Sequence, residues 1–209
     1  MILLFPDIRV RASRRAADAN TSKTRGNDMK DPIAIGLYGF AVPLFILAGM
    51  FAGLLPMDGL GLALALALGF GGACMFVGGA LTFSIGNSFV ATAFFVYGSF
   101  FLALAIGGMN GALVATLNAA PQVISVWYFL MGFITFVFLV PAFRMNIGLV
   151  LMFGLLLLAF LAMGLGAVTI GGMLFGATAI VGFYLAAVHV VNPVMAGTLP
   201  VGSLAKKPA

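Results

Sequence analysis

The side chains able to do chemistry in this chain are few and scattered. There is one histidine, His189, one cysteine, Cys74, and no glutamate; aspartate occurs at positions 7, 18, 28, 31 and 58 alone. A nucleophile needs a neighbouring base that a third group orients, and no Ser/His/Asp set lies at a plausible depth. A metal site needs clustered His, Cys or carboxylate ligands, and a phosphate loop needs its glycine-rich signature; neither is present. We therefore expect no enzyme, no catalytic residue, no metal and no cofactor. What remains is a thin set of neutral polar groups inside apolar sequence: Ser88, Thr92, Ser99, Tyr97, Gln122 and Thr135. Groups of that kind hydrogen-bond a small solute or a neighbouring helix.

The elements that must hold these groups follow from composition. The 209 residues are 63% hydrophobic and 7% charged, with a mean hydropathy of +1.22. Soluble domains carry about 25% charged residues. Between Ile33 and Gly202 the fully charged side chains are Asp58 and Arg144 alone. A backbone in lipid must satisfy its own hydrogen bonds, as helices or a closed barrel. Barrels alternate apolar and polar positions, whereas this chain has long apolar runs. The spacing predicts six transmembrane helices at 33–55, 60–84, 89–108, 121–143, 147–168 and 173–191, each near the roughly 20 residues that cross a bilayer core. The expected fold is an all-α integral membrane bundle of six helices around a pore in each protomer. Residues 31–192 form this domain. Residues 1–30 read as a basic, mostly disordered tail, and 193–209 as a C-terminal tail.

Asp31-Pro32 reads as a helix start, and Asn87-Ser88 as a cap for the third helix. The ten Lys and Arg fall in the two tails and at Arg144. With an even number of spans, cytoplasmic termini place every one of them inside and Asp58 outside, as the positive-inside rule asks. The net charge of +5 then belongs to orientation and anionic lipid, and no nucleic-acid partner is expected. Arg144 reads as an orientation anchor. Pro43, inside the first helix, frees the carbonyl four residues back, that of Gly39; it is either an ordinary kink or a source of backbone polarity beside a pore. Ser88, Thr92 and Ser99 share one helical face, well away from Tyr97. That stripe reads as interhelical glue, and Tyr97 as the pore residue, offering a ring and a hydroxyl. Gln122 and Thr135 are further possible polar contacts. Trp127 and Tyr128 suit an interfacial aromatic belt.

One run is specific. Gly86-Asn87-Ser88-Phe89, Ala93-Phe94 and Tyr97-Gly98-Ser99-Phe100 closely resemble the acetate uptake transporter family, which includes the bacterial succinate–acetate permeases. Pro32, Gly36, Leu37, Gly39 and Phe40 fit its opening signature; Asp31, Ile33, Ala34 and Ile35 depart from it. Tyr184, Asn192 and Leu199-Pro200-Val201-Gly202 look like its closing motif, with Pro193 in place of a glutamate. The resemblance implies a homo-hexamer in a bacterial inner (plasma) membrane, each protomer with its own pore for acetate, related small carboxylates or succinate. It also implies an aromatic constriction at Phe40 and Tyr97. Its third member aligns with Gly154 or Leu155. Met75 stands where the permeases carry a glutamine, Thr82 where they carry a glutamate, and His189 where they carry an acidic residue. These departures imply a more apolar pore. They keep two rivals open: a pore for a small neutral solute such as ammonia or urea, and a non-transporting receptor or scaffold. His189 could sense pH or be an interfacial histidine with its hydrogen bonds satisfied.

Overall fold

The computed structural model describes residues 31–195 and 198–204; the tail 1–30 and the last five residues lie outside the described residues. Six helices are long and apolar enough to cross a membrane: Ile33–Phe51, Met57–Ser84, Ser88–Met109, Pro121–Ala142, Ile147–Gly164 and Val168–Val191. The chain is thus an all-α integral membrane protein. We label α1 as Ile33–Phe51. The second span is composite: a 3-10 turn at Met57–Gly59, α2 at Leu60–Leu66, a π-helical stretch at Ala67–Cys74, and α3 at Met75–Ser84. The third span is α4, Ser88–Met109, and a short exposed helix, α5, Ala112–Ala119, follows it. The last three spans are α6 (Pro121–Ala142), α7 (Ile147–Gly164) and α8 (Val168–Val191).

Caps and breaks explain most of these limits. Asn87 Oδ1 accepts from the Val90 N–H at 3.2 Å, so the expected cap on α4 is formed. Asn146 does the same for α7, accepting from the Leu149 N–H at 2.9 Å. That cap ends the long apolar stretch that only Arg144 interrupts. The break before the last span differs from expectation. The chain turns at Gly166, which has φ +77°, and α8 starts at Val168. Gly171 and Gly172 lie inside α8 and serve close packing: a Cβ on Gly172 would sit 2.5 Å from the Ala52 nitrogen.

The bundle closes through specific neighbours. α1 packs on α8 and on the second span; α7 packs on α6 and α8; α3 packs on α4. Aromatic contacts join α4 to α6, with Phe100 against Trp127 at 4.9 Å and Tyr97 against Phe138 at 6.0 Å. Trp127 and the buried Tyr128 therefore pack into the bundle, rather than forming a lipid-facing belt. The π-helical stretch went unforeseen in the sequence. Gly71 sits there against the Phe101 ring and Gly72 against Leu102, approaches that leave no room for a Cβ. The hydroxyl stripe of α4 also differs from expectation. Ser88, Thr92 and Ser99 face out of the protomer, and Thr92 and Ser99 donate to their own helix, at Ser88 O (2.7 Å) and Phe95 O (2.8 Å). They glue nothing inside this bundle.

Candidate functional site: two adjoining cavities among α1, α4 and α7

Three helices that run in the same direction, α1, α4 and α7, start at one end of the bundle. Phe40, Tyr97 and Leu156 lie seven, nine and nine residues along them from Ile33, Ser88 and Ile147. At 1.5 Å per residue that is about 10–14 Å from the helix starts, near the middle of a hydrocarbon core about 30 Å thick. The three meet around a cavity of about 20 Å³, with Leu37, Met75, Ala93, Phe94, Met152 and Phe153 completing its wall. The Phe40 and Tyr97 rings meet edge to face at 5.8 Å. Phe40 is 4% exposed and Tyr97 3%. A cavity of this size holds about one water molecule. Anything larger than a water molecule would fit between these side chains only if they moved.

A larger cavity of about 230 Å³ opens from it toward the helix starts, sharing Leu37, Ala93, Phe94, Met152 and Phe153 with the constriction. Its polar wall is Asn87, Asn146 and His189. His189, half-buried near the end of α8, is the one titratable side chain among the residues around it. The starts of α4 and α7 reach this vestibule through their capping asparagines.

The C-terminal segment crosses the vestibule mouth. Asn192 holds Leu199 by two bonds, its Nδ2 donating to Leu199 O at 2.9 Å and its Oδ1 accepting from Leu199 N at 2.8 Å. Tyr184 donates to Pro200 O at 2.6 Å. The carbonyls of Gly202 and Val201 accept from Ile147 N (2.9 Å) and Gly148 N (3.4 Å), and Leu204 N donates to Met145 O at 3.0 Å. Val201 thereby becomes part of the vestibule wall. Of the segment read as a tail, residues 199–204 form a strap over the mouth of this cavity. It uses the first N–H groups of α7, the groups a helix leaves unpaired. Asn192→Ala removes both bonds to Leu199. It is expected to speed amide hydrogen exchange at Ile147, Gly148, Leu199 and 201–204 by about tenfold or more. Unchanged exchange would mean that the other contacts hold the strap alone.

The remaining sequence-derived candidates fall as follows. Leu155 is half-buried and is not among the residues around the small cavity; its neighbour Leu156, 1% exposed, takes that place. Gly154 has nothing within 4 Å of where its Cβ would be. Thr92 is excluded from the passage by helical phase. It lies five residues before Tyr97, about 140° around the helix, and is exposed on the outer face. Gln122 is likewise exposed, at the start of α6. Pro43 is fully buried within α1, one turn beyond Phe40, and the helix runs through it. Thr135 is fully buried and hydrogen-bonded to Tyr97 at 2.9 Å. The Tyr97 hydroxyl thus meets α6. Met75, found where the permeases it resembles carry glutamine, stands in the constriction wall. Thr82 is fully buried, and its Oγ1 has no hydrogen-bond partner among the described residues. Met152 and Phe153 were missed. The signal available for α7 was only that Met152, Phe153 and Leu156 share one helical face.

An all-α membrane bundle of six spans, with a cavity among α1, α4 and α7, is the class of protein these features define. The chain belongs to the GPR1/FUN34/yaaH family, which it matches over residues 15–202. It is 33% identical over 145 residues to acetate permease A of Emericella nidulans, covering 65% of this chain and 49% of the permease, so it spans about half the length of that curated relative. Its fold matches the structure of the bacterial acetate channel SatP with a TM-score of 0.75 and 27% identity, over 82% of this chain and 98% of that one.

Proposed function

We propose that this protein passes acetate and related small carboxylates, succinate among them, across the membrane through the protomer, by way of the constriction at Phe40, Tyr97 and Leu156. The observation that carries this reading is the vestibule that narrows onto those three residues between α1, α4 and α7. The family membership and the two relatives named for acetate support the substrate class.

The wall chemistry narrows the form in which the solute crosses. The side chains around the constriction are Leu, Phe, Met, Ala and Tyr. An unpaired carboxylate in such surroundings takes up a proton rather than remain charged. Simple carboxylic acids do so at about pH 4–5, as Glu side chains do. Proton-coupled carriers place Asp or Glu within the membrane as a relay, whereas the spans here carry only Asp58, exposed in the turn that begins the second span and far from the constriction wall. The solute therefore brings its own proton.

Labelled acetate uptake into proteoliposomes across pH 5–8, at fixed total acetate and with protein-free vesicles subtracted, tests this. Protein-dependent flux is expected to fall about tenfold per pH unit, with the same profile in His189→Ala. Flux that ignores pH, or a pH dependence lost in His189→Ala, would overturn it. The apolar wall at Met75 favours a second reading, a pore for a small neutral solute. Labelled urea in the same vesicles separates the two.

Assembly and orientation complete the proposal. The outward faces of the second and third spans carry small and hydroxyl residues, Gly69, Ala73, Ala80, Ser88, Thr92 and Ser99, of the kind that lets helices approach in lipid. They suit packing between protomers in a homo-hexamer. The distribution of Lys and Arg supports cytoplasmic termini in a bacterial inner membrane. In a Cys74→Ala background, Asp58→Cys is expected to react with an impermeant thiol reagent from outside, and Lys206→Cys is not. The reverse pattern would invert the topology.

A further inference from the structure

We infer that Thr135 is a positioning residue for the constriction: it holds the Tyr97 hydroxyl turned away from the passage, so that the lumen meets a ring and no hydroxyl donor. The inference rests on the proposed passage and adds a residue outside its wall. Thr135 sits on α6, which contributes no residue to the small cavity. It is nonetheless fully buried, and its Oγ1 lies 2.9 Å from the Tyr97 hydroxyl.

The direction of the protons follows from counting them. A threonine hydroxyl has one hydrogen to give. Thr135 Oγ1 lies 2.7 Å from the Met131 carbonyl oxygen, which can only accept, so its hydrogen goes there. Tyr97 must then donate to Thr135. The opposite arrangement would set two oxygen lone pairs against each other at 2.7 Å. The chain Tyr97 O–H to Thr135 O–H to Met131 C=O uses both hydroxyl hydrogens. The phenol keeps only lone pairs, and it offers no donor to a carboxylate.

Among the described residues, this bond is the one polar anchor of the ring. Tyr97 is packed against Phe40, Phe138 and Phe153 at centroid distances of 5.8, 6.0 and 6.4 Å. None of these can receive a hydrogen bond of ordinary strength. If the Thr135 acceptor is removed, the buried hydroxyl is left unpaired, a state proteins avoid. The space open to the hydroxyl is the passage that the ring already borders, which leads on to Asn87, Asn146 and His189 in the vestibule wall. The ring then turns inward and obstructs that passage.

The test is acetate flux in proteoliposomes with four proteins beside wild type: Thr135→Val, Thr135→Ser, Tyr97→Phe and Tyr97→Phe/Thr135→Val. Valine matches the shape of threonine without the acceptor. Thr135→Val is expected to lower flux at least about fivefold, while Thr135→Ser, which keeps the hydroxyl, stays within about twofold. In the Tyr97→Phe background, which has no phenol to strand, adding Thr135→Val lowers flux no further. An equal loss in both backgrounds would make Thr135 an ordinary packing residue and overturn the inference, as would a Thr135→Val protein that behaves as wild type. If wild type passes no acetate above empty vesicles, the proposed function falls separately. The coupling is then read from melting temperatures of the same proteins, where a Thr135→Val effect that persists unchanged without the phenol overturns the inference.

Discussion

Gly78→Ala is expected to give a protein that melts well below wild type and passes little acetate, although it adds a single methyl group. Gly78 is the point where α3 and α1 touch backbone to backbone. A Cβ there would lie 2.8 Å from the Gly36 nitrogen and 3.0 Å from its Cα. Ordinary carbon contacts are about 3.5–4.0 Å, and no flexible side chain is available to yield. One helix must move, and α1 carries Leu37 and Phe40 into the passage wall. Overpacking of this kind costs about 1–3 kcal/mol. The displaced wall adds a loss of flux that stability by itself would not produce. Gly154→Ala is the internal comparison: nothing lies within 4 Å of its Cβ position. Its melting temperature is expected to match wild type, consistent with the usual ±0.5 kcal/mol or so for changes that touch nothing. If Gly78→Ala melts with wild type and retains its flux, the close crossing of α1 and α3 is misplaced.

The second large effect is expected at Phe40. Its ring packs against Tyr97 at 5.8 Å and Phe101 at 6.1 Å and forms one side of the closure. Phe40→Ala removes that side and widens the small cavity, so longer acids meet less obstruction. Uptake of butyrate relative to acetate is expected to rise about tenfold, since tenfold is only about 1.4 kcal/mol of barrier. The same change removes a buried aromatic ring, a loss of about 3–5 kcal/mol of packing in soluble cores, so the protein should also melt earlier. Phe40→Leu should fall between on both measures. A butyrate-to-acetate ratio unchanged in Phe40→Ala would place the closure elsewhere.

Much of this was already determined by the sequence. Long uncharged apolar runs leave a backbone no option in lipid but helices, so six spans and their approximate limits follow from hydropathy. Asn87 was readable as a cap because its side chain acts on a backbone N–H three residues away, a local interaction. The Tyr97-Gly98-Ser99-Phe100 run carried the family resemblance, and with it Phe40 and Tyr97. What sequence could not determine was rotation. In soluble helices a polar stripe marks the outer face, but α7 is apolar on every side. Leu155 and Leu156 are equivalent until α6 and α8 fix which one faces inward. The outward direction of the α4 hydroxyls was hidden for a related reason. In lipid a serine or threonine can satisfy itself on its own helix carbonyl, so Thr92 and Ser99 needed no neighbour and could face outward. The inverse held at Thr135, whose partner is 38 residues away in the chain. The strap over the vestibule and the crossing of Gly36 with Gly78 are likewise contacts between distant segments. Each depends on how whole helices dock, and that docking is set by close packing of surfaces alike in polarity, about which a hydropathy pattern carries no information.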